Sequence, residues 1–355
     1  MKNELNQVAK GKIFIILLAV AIIGLTASSY KALYDTGKHS IVNKLKHPAI
    51  GTDFRIAVIP DIQHYTGHLK LAIPAMWQAQ IKWIKQNHVD SNIVYVAGMG
   101  DSVDDLKIDS VYDTDAQWKN VALNGGYYAL ETPAPGIAYG LAVGNHDEAD
   151  FAFDRDTQVG SHHNHPGISP VRNTTAKYNE YFGVEHFKNK PWYGGHANIL
   201  GKNNNDCHYD KFTVAGQKYI VVFIAFDNEG AGPEDKDGLM VKWAHSVIKA
   251  NTDAKAIVVS HSILKGPKEG IFSPQGLSIY NGVKDLPNVF LMLCGHVTGE
   301  YMRQDVYQGH TIKSYLIDCQ ALPKGGDGRM RTMRINTVTD SISINTFSPY
   351  SGKAY

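Results

Sequence analysis

Six short runs in this chain are apolar on both sides of a two-residue repeat. They are "FRIAVIPD", "NIVYVAGMGD", "IAYGLAVGNHD", "KYIVVFIAFDN", "AKAIVVSH" and "NVFLMLCGH". A strand that is apolar on both faces can satisfy its backbone only inside a sheet covered above and below, so these runs predict buried central strands. Segments with helical spacing separate some of them: "AIPAMWQAQIKWIKQN" after the first and "DGLMVKWAHSVIKAN" before "AKAIVV". Beyond Gly309 the runs "TIKSYLIDCQ", "MRTMRINTVT" and "SISINTFS" alternate apolar and polar residues, as strands with one wet face do. The pattern is that of an α/β protein with no visible break, giving one folded domain over residues 51–355. Residues 151–215, rich in Asn, Gly, His and Tyr, read as a long irregular insertion.

The ends of the runs are more informative than their interiors. "VIPDIQ" ends in Asp61 and Gln63, and "AGMGDSVDD" in Asp101, followed by Asp104 and Asp105. "LAVGNHDE" ends in Asn145, His146 and Asp147, "VVSHS" in His261, and "LCGHVT" in His296. In open α/β sheets, ligands bind at the carboxyl ends of the strands. One His at a strand end is ordinarily a hydrogen-bonded structural residue, and one Gly-Asp is ordinarily a turn. Five strands delivering oxygen and imidazole donors to one edge have no such explanation. Asp, Asn, Gln and His without thiolates suit a hard-to-borderline divalent cation.

With 355 residues the chain has length for a substantial core. Its net charge of +1 leaves no electrostatic footprint for nucleic acid. Near the start, "IFIILLAVAIIGLTA" from Ile13 to Ala27 carries no charge and follows a polar, basic-ended segment. That run is short for a membrane span and typical of a signal-peptide core. Residues 1–29 are therefore expected to be a signal peptide or an N-terminal membrane anchor, and residues 30–50 a linker. The folded part is expected to be exported: periplasmic, secreted, or tethered to the outer face of the membrane through residues 13–27. Cys207, Cys294 and Cys319 form no disulfide framework, although an exported location permits a Cys207–Cys319 bridge.

The order D-x-[H/Q], G-D-x-x-D, G-N-H-[D/E], a lone His after a strand, then G-H-x-H resembles the calcineurin-like metallophosphoesterases, and spans Asp61 to His296. "PDIQ" is similar to the branch whose first motif reads P-D-x-Q, as are "NEYFG", "PWYGG" and "VKWAHSVI". The resemblance implies a four-layer sandwich of two mixed β-sheets packed face to face with flanking helices. It also implies two divalent transition metals (Mn, Fe or Zn). Asp61, Gln63 and Asp101 would hold the first, with Asp101 bridging, and Asn145, His261 and His296 would complete the second. The implied activity is hydrolysis of a phosphomonoester or phosphodiester, on a small molecule or a surface, by attack of metal-bound hydroxide. His146 would be the general acid, with Asp147 orienting its ring. The alternative is a degenerate member that binds metal or a phosphorylated ligand without turnover.

The chain departs from the family pattern at Thr298, where a second histidine normally completes the first metal's shell. Gln63 replaces a histidine on that same metal, so the first site is expected to be the weaker. Glu300, His64 and a water held by Thr298 are the candidate substitutes, with strand alternation turning His64 away from Gln63. In the insertion, "GSHHNHPG" supplies His162, His163 and His165, and Arg155 and Arg172 lie nearby. His163 and Arg155 are the candidate substrate contacts, against the plainer reading of a solvated loop.

Overall fold

Strand β7 (Ala254–Ser260), in the middle of the second of two sheets, shows how the apolar runs are used. Its Ile257 and Val259 join one buried cluster while Ala256 and Val258 join another. Strand β1 (Asp53–Ile59) divides in the same way, with Phe54, Ile56 and Val58 on one side and Ala57 and Ile59 on the other. The cluster on the first side draws on both sheets and lies between them. The other side of each sheet is covered by helices, so the expected arrangement is met: two mixed sheets face to face with helices outside. Each large aliphatic side chain moved out of water here contributes on the order of 1.5–3 kcal/mol.

This computed structural model describes residues 52–104, 114–148, 175–199, 202–226, 238–266 and 270–355. The apolar segment 13–27, the linker, Asp105, Arg155, Arg172 and the His162–His165 group lie outside the described residues. Ile50–Tyr355 forms one compact unit. After β1 come β2 (Ile93–Gly98), β3 (Ala138–Leu141), β4 (Tyr193–Ile199), β5 (Lys202–Val214) and β6 (Gln217–Ile224), and then β7. A short pair, β8 (Leu264–Lys265) and β9 (Ile271–Phe272), precedes β10 (Val289–Cys294), β11 (Gly299–Tyr307), β12 (His310–Asp318), β13 (Met330–Asn336) and β14 (Ile342–Phe347). The first sheet has the order β14-β13-β1-β2-β3 and the second β11-β12-β10-β7-β6-β5-β4. β1, β2 and β3 run parallel, as do β6, β7, β10 and β12. Among the described residues, no helix is long and apolar enough to cross a membrane.

The helices follow the apolar spacing. Pro74–Asn87 starts on a proline, whose fixed φ suits the first helical turn, and buries Met76, Trp77, Ile81 and Ile84. Leu239–Ala250 buries Met240, Val241, Ala244 and Ile248. The described part of the insertion is not irregular: it forms helices Ala176–Phe182 and Val184–Phe187 and then β4 and β5. Polar side chains concealed these strands, because here they are buried and bonded internally. Asn205 Nδ2, for instance, donates to the Phe182 carbonyl at 2.9 Å. Cys207, Cys294 and Cys319 are buried thiols, so the bridge that the sequence permits is not formed. The Cys207 sulfur instead accepts from Ala225 N at 3.4 Å.

Glu131 fastens the Val184–Phe187 helix to the first sheet. Its Oε1 accepts from Tyr139 Oη at 2.7 Å and lies 2.7 Å from His186 Nε2, while Lys190 reaches Oε2 at 2.5 Å. Burial opposes the charge, but hydrogen bonds from His186, Lys190 and Tyr139 outweigh it and hold the carboxyl down at about 2. A depressed carboxyl stabilises the fold above its unfolded value and ceases to do so as pH falls through the folded one. Glu131→Gln is therefore expected to cost about 1–2 kcal/mol at neutral pH, discounted for partial exposure. In denaturant titrations that deficit should shrink between roughly pH 4.5 and 2, and a deficit independent of pH would rule out the charge as its source.

Candidate metal centre

The parallel strands of both sheets end at a common edge, and backbone hydrogen bonds lock their loops together. Ile62 N and Gln63 N donate to the Asp101 carbonyl at 3.1 and 3.0 Å, which joins the loops after β1 and β2. Phe226 N donates to the Val143 carbonyl at 3.0 Å, joining the two sheets. Gly295 N donates to the His261 carbonyl at 3.1 Å within the second sheet. Glycines admit the close approach. A Cβ on Gly144 would lie 2.3 Å from Asp101 Oδ1, and one on Gly295 would lie 2.0 Å from Asp61 Oδ1. Asp101 and His296 occupy the left-handed region, at φ 49° and 73°. For residues other than glycine that conformation costs on the order of 1–3 kcal/mol and collects at functional sites.

His261 is the centre of the cluster. Its Nδ1 lies 2.8 Å from the Met99 carbonyl, which can only accept, so that nitrogen carries the proton. Nε2 then faces Asn145 Oδ1 at 3.1 Å, Asp101 Oδ2 at 3.2 Å and His296 Nδ1 at 3.1 Å. The Asn145 and Asp101 oxygens facing Nε2 can only accept, so that position calls for a proton or a cation, and one cation satisfies the whole set. Donor atoms of Asp101, His261 and His296 lie within 4.8 Å of one another. The carbonyl oxygen of Gln63 and the amide nitrogen of Asn145 are buried without partners among the described residues. Gln63 Nε2 is 3.3 Å from Asp101 Oδ2, so the Gln63 amide borders the same space. This donor set fits a divalent cation, its second ring nitrogens and backbone contacts serving as outer supports.

The carboxylates agree with this. Burial opposes the charge of Asp101, but His261, His146 and His296 hold its carboxyl far below the ordinary range. Burial raises Asp61 well above it, with the nearby charges of Asp318 and Asp101 adding to the rise. Burial likewise lifts Asp318 to about 6. Asp61 and Asp318, buried near the charge of Asp101, keep their own charges only where a cation meets them.

The residues expected as ligands lie together at this edge. Asp61 accepts from His296 N at 3.0 Å through Oδ2, and Asp101 accepts from His146 N at 3.0 Å through Oδ1. Asp61, Gln63, Asp101, Asn145 and His261 are buried, and His146 and His296 half-buried, so the centre faces outward at those two rings. Three expectations need correction. Asp147 does not orient the His146 ring: its carboxylate accepts from Gly144 N and Ser102 N at 2.8 Å and from Val103 N at 3.3 Å, tying two loops together. The carboxylate beside the ring is Asp104, whose Oδ1 lies 3.5 Å from His146 Nδ1. Glu300 is drawn away by Arg331 and Thr346 and is no substitute donor. His64 sits on the one-turn helix Gln63–Thr66, where strand alternation does not apply, and its Nδ1 meets the Gln320 carbonyl at 2.8 Å. Sequence reasoning passed over Asp318, although "SYLID" carries the same sign as the other motifs, an apolar strand stopped by an acid.

No family model matches the chain. A Bacillus subtilis (strain 168) protein described as "Uncharacterized protein YvnB" is 30% identical over 298 residues, 82% of this chain. The chain spans 19% of that protein's length. Among solved structures, GAP50, the anchor in the inner membrane complex of Plasmodium, aligns with a TM-score of 0.46 at 14% identity, covering 85% of this chain and 86% of that one. A dimetal phosphatase from Danio rerio aligns with a TM-score of 0.40 at 11% identity, covering 81% and 98%.

Proposed function

We propose that the chain is a metal-dependent phosphoric ester hydrolase that cleaves a phosphomonoester or phosphodiester. The observation that supports this most is the convergence of Asp101, Asn145 and His296 on Nε2 of His261, with the His146 ring at the open side. Asp61, Gln63 and Asp101 would hold one cation, and Asn145, His261 and His296 a second, with Asp101 shared. Bound cations neutralise phosphoryl oxygens and make water acidic enough to attack at neutral pH. The protein's own part is to fix that geometry and move a proton. Asp104 steadies His146 through Nδ1 and leaves Nε2 to protonate the departing ester oxygen. Asp147 acts at one remove, holding the Gly144–Asn145 loop against the Ser102–Val103 loop.

The test is reconstitution of purified chain with Mn, Fe, Co or Zn, followed by assays on aryl phosphate and bis-aryl phosphate. Bound metal with hydrolysis of either ester is the expected result, and bound metal with no hydrolysis under any condition sinks the catalytic reading. A second reading, a metal or phosphate binder without turnover, is favoured by one feature, the pairing of Gln63 with Thr298 on the first cation. We place the protein outside the cytoplasm because of the apolar run 13–27, on a small-molecule or surface phosphoester. Recovery of the chain in the cytoplasmic fraction alone would overturn that placement.

A further inference from the structure

We propose that Asp318 is a ligand of the first cation, standing in for the imidazole that residue 298 lacks, and that Thr298 is the positioning residue that aims it. This rests on the metal reading above. Asp318 ends β12, the parallel neighbour of β10, so it leaves the sheet beside the strand that delivers His296. The β11–β12 pairing sets Gly299 opposite Asp318 and brings Thr298 alongside. The Thr298 hydroxyl donates to Asp318 Oδ2 at 2.9 Å, and Gln320 N donates to Oδ1 at 2.7 Å. Gln320 also reaches Asp61, its Nε2 lying 3.5 Å from Asp61 Oδ2, so one residue spans the two carboxylates.

Asp318 is 0% exposed, yet neither of these hydrogen bonds comes from a cationic side chain. A buried carboxylate held only by neutral donors keeps its charge at a large desolvation cost unless a cation meets it. Each oxygen keeps a second lone pair for that purpose. Beside the shared Asp101, the buried Gln63 carbonyl oxygen is without a partner among the described residues. The exchange at residue 298 therefore changes the character of the first site instead of emptying it. Asp61, Gln63, Asp101 and Asp318 make an all-oxygen set, whereas the second site keeps two imidazoles. Oxygen donors suit Mg, Ca or Mn and imidazoles suit Zn or Fe, so the two positions are matched to different metals.

The experiment uses the full chain, stripped by chelator, given one equivalent of Zn²⁺ and then titrated with Mn²⁺ while the EPR signal of free Mn²⁺ is followed. Wild type is expected to hold one Zn²⁺ and one Mn²⁺. Asp318→Asn should weaken Mn²⁺ binding by at least about 100-fold and leave Zn²⁺ in place, while Thr298→Val, which keeps the carboxylate but releases its aim, should weaken it about 10-fold. The double variant Asp318→Asn, Thr298→His should take a second Zn²⁺ where wild type takes Mn²⁺, which keeps the test decisive if a single variant folds poorly. Wild-type Mn²⁺ affinity in a folded Asp318→Asn chain overturns the proposal. If wild type binds neither metal, the underlying metal reading has failed, an outcome distinct from a binding wild type that is indifferent to residue 318.

Discussion

Replacing His146 by alanine is expected to cut hydrolysis of alkyl phosphates by about 10²–10⁴-fold while leaving metal content unchanged. A positioned acid matters most where the departing oxygen is a poor leaving group. An aryl ester, whose phenolate leaves without a proton, should therefore lose far less. The split between the two substrates is the diagnostic. Equal losses on both would mean that the ring holds the loop or the substrate instead of donating a proton. The loop is held independently of the His146 side chain, with His146 N donating to Asp101 and Gly144 N to Asp147, so the alanine keeps the fold.

Asp101→Asn should have the larger effect. Asp101 meets Gln63, His261 and the backbone of His146, and it is the position assigned to both cations. Removing its charge takes an anionic ligand from each and leaves His261 and His296 without the carboxylate that faces them. Retained metal is expected to fall at least about 100-fold, and turnover by about 10³-fold or more, the equivalent of several kcal/mol of lost charge stabilisation. Asparagine is the informative replacement, since it tolerates the left-handed backbone here as aspartate does. An Asp101→Asn chain that kept both metals in mass-spectrometric analysis would remove Asp101 from the shared position.

The central strands and their endings were plain in the sequence because both rest on local chemistry. Ile257 and Val259 alternate with Ala256 and Val258, and a strand so patterned has to be covered on both faces. β5 was hidden for the opposite reason, since "NNNDCHYD" carries polar groups whose partners lie far along the chain. The exchange of Asp104 for Asp147 beside His146 has a similar origin. Adjacent residues at a tight turn point in different directions, and only the turn geometry decides which carboxylate meets the ring. Asp318 had a local sign, but its relevance depends on β12 lying against β10, a pairing of strands that no spacing reveals. Strand alternation does not govern His64, because the chain makes one turn of helix at Gln63–Thr66.

Both assigned cation positions draw on both sheets, with Asp61, Gln63, Asp101 and Asn145 from the first and His261, His296 and Asp318 from the second. Asp61 and His296 meet across 235 residues of sequence. The centre therefore cannot assemble until the chain has been made through Asp318. Metal uptake by a centre so divided is coupled to folding, because its donors reach one place only when both sheets have formed. Which ions it takes up then depends on those available where it folds as much as on the donors themselves.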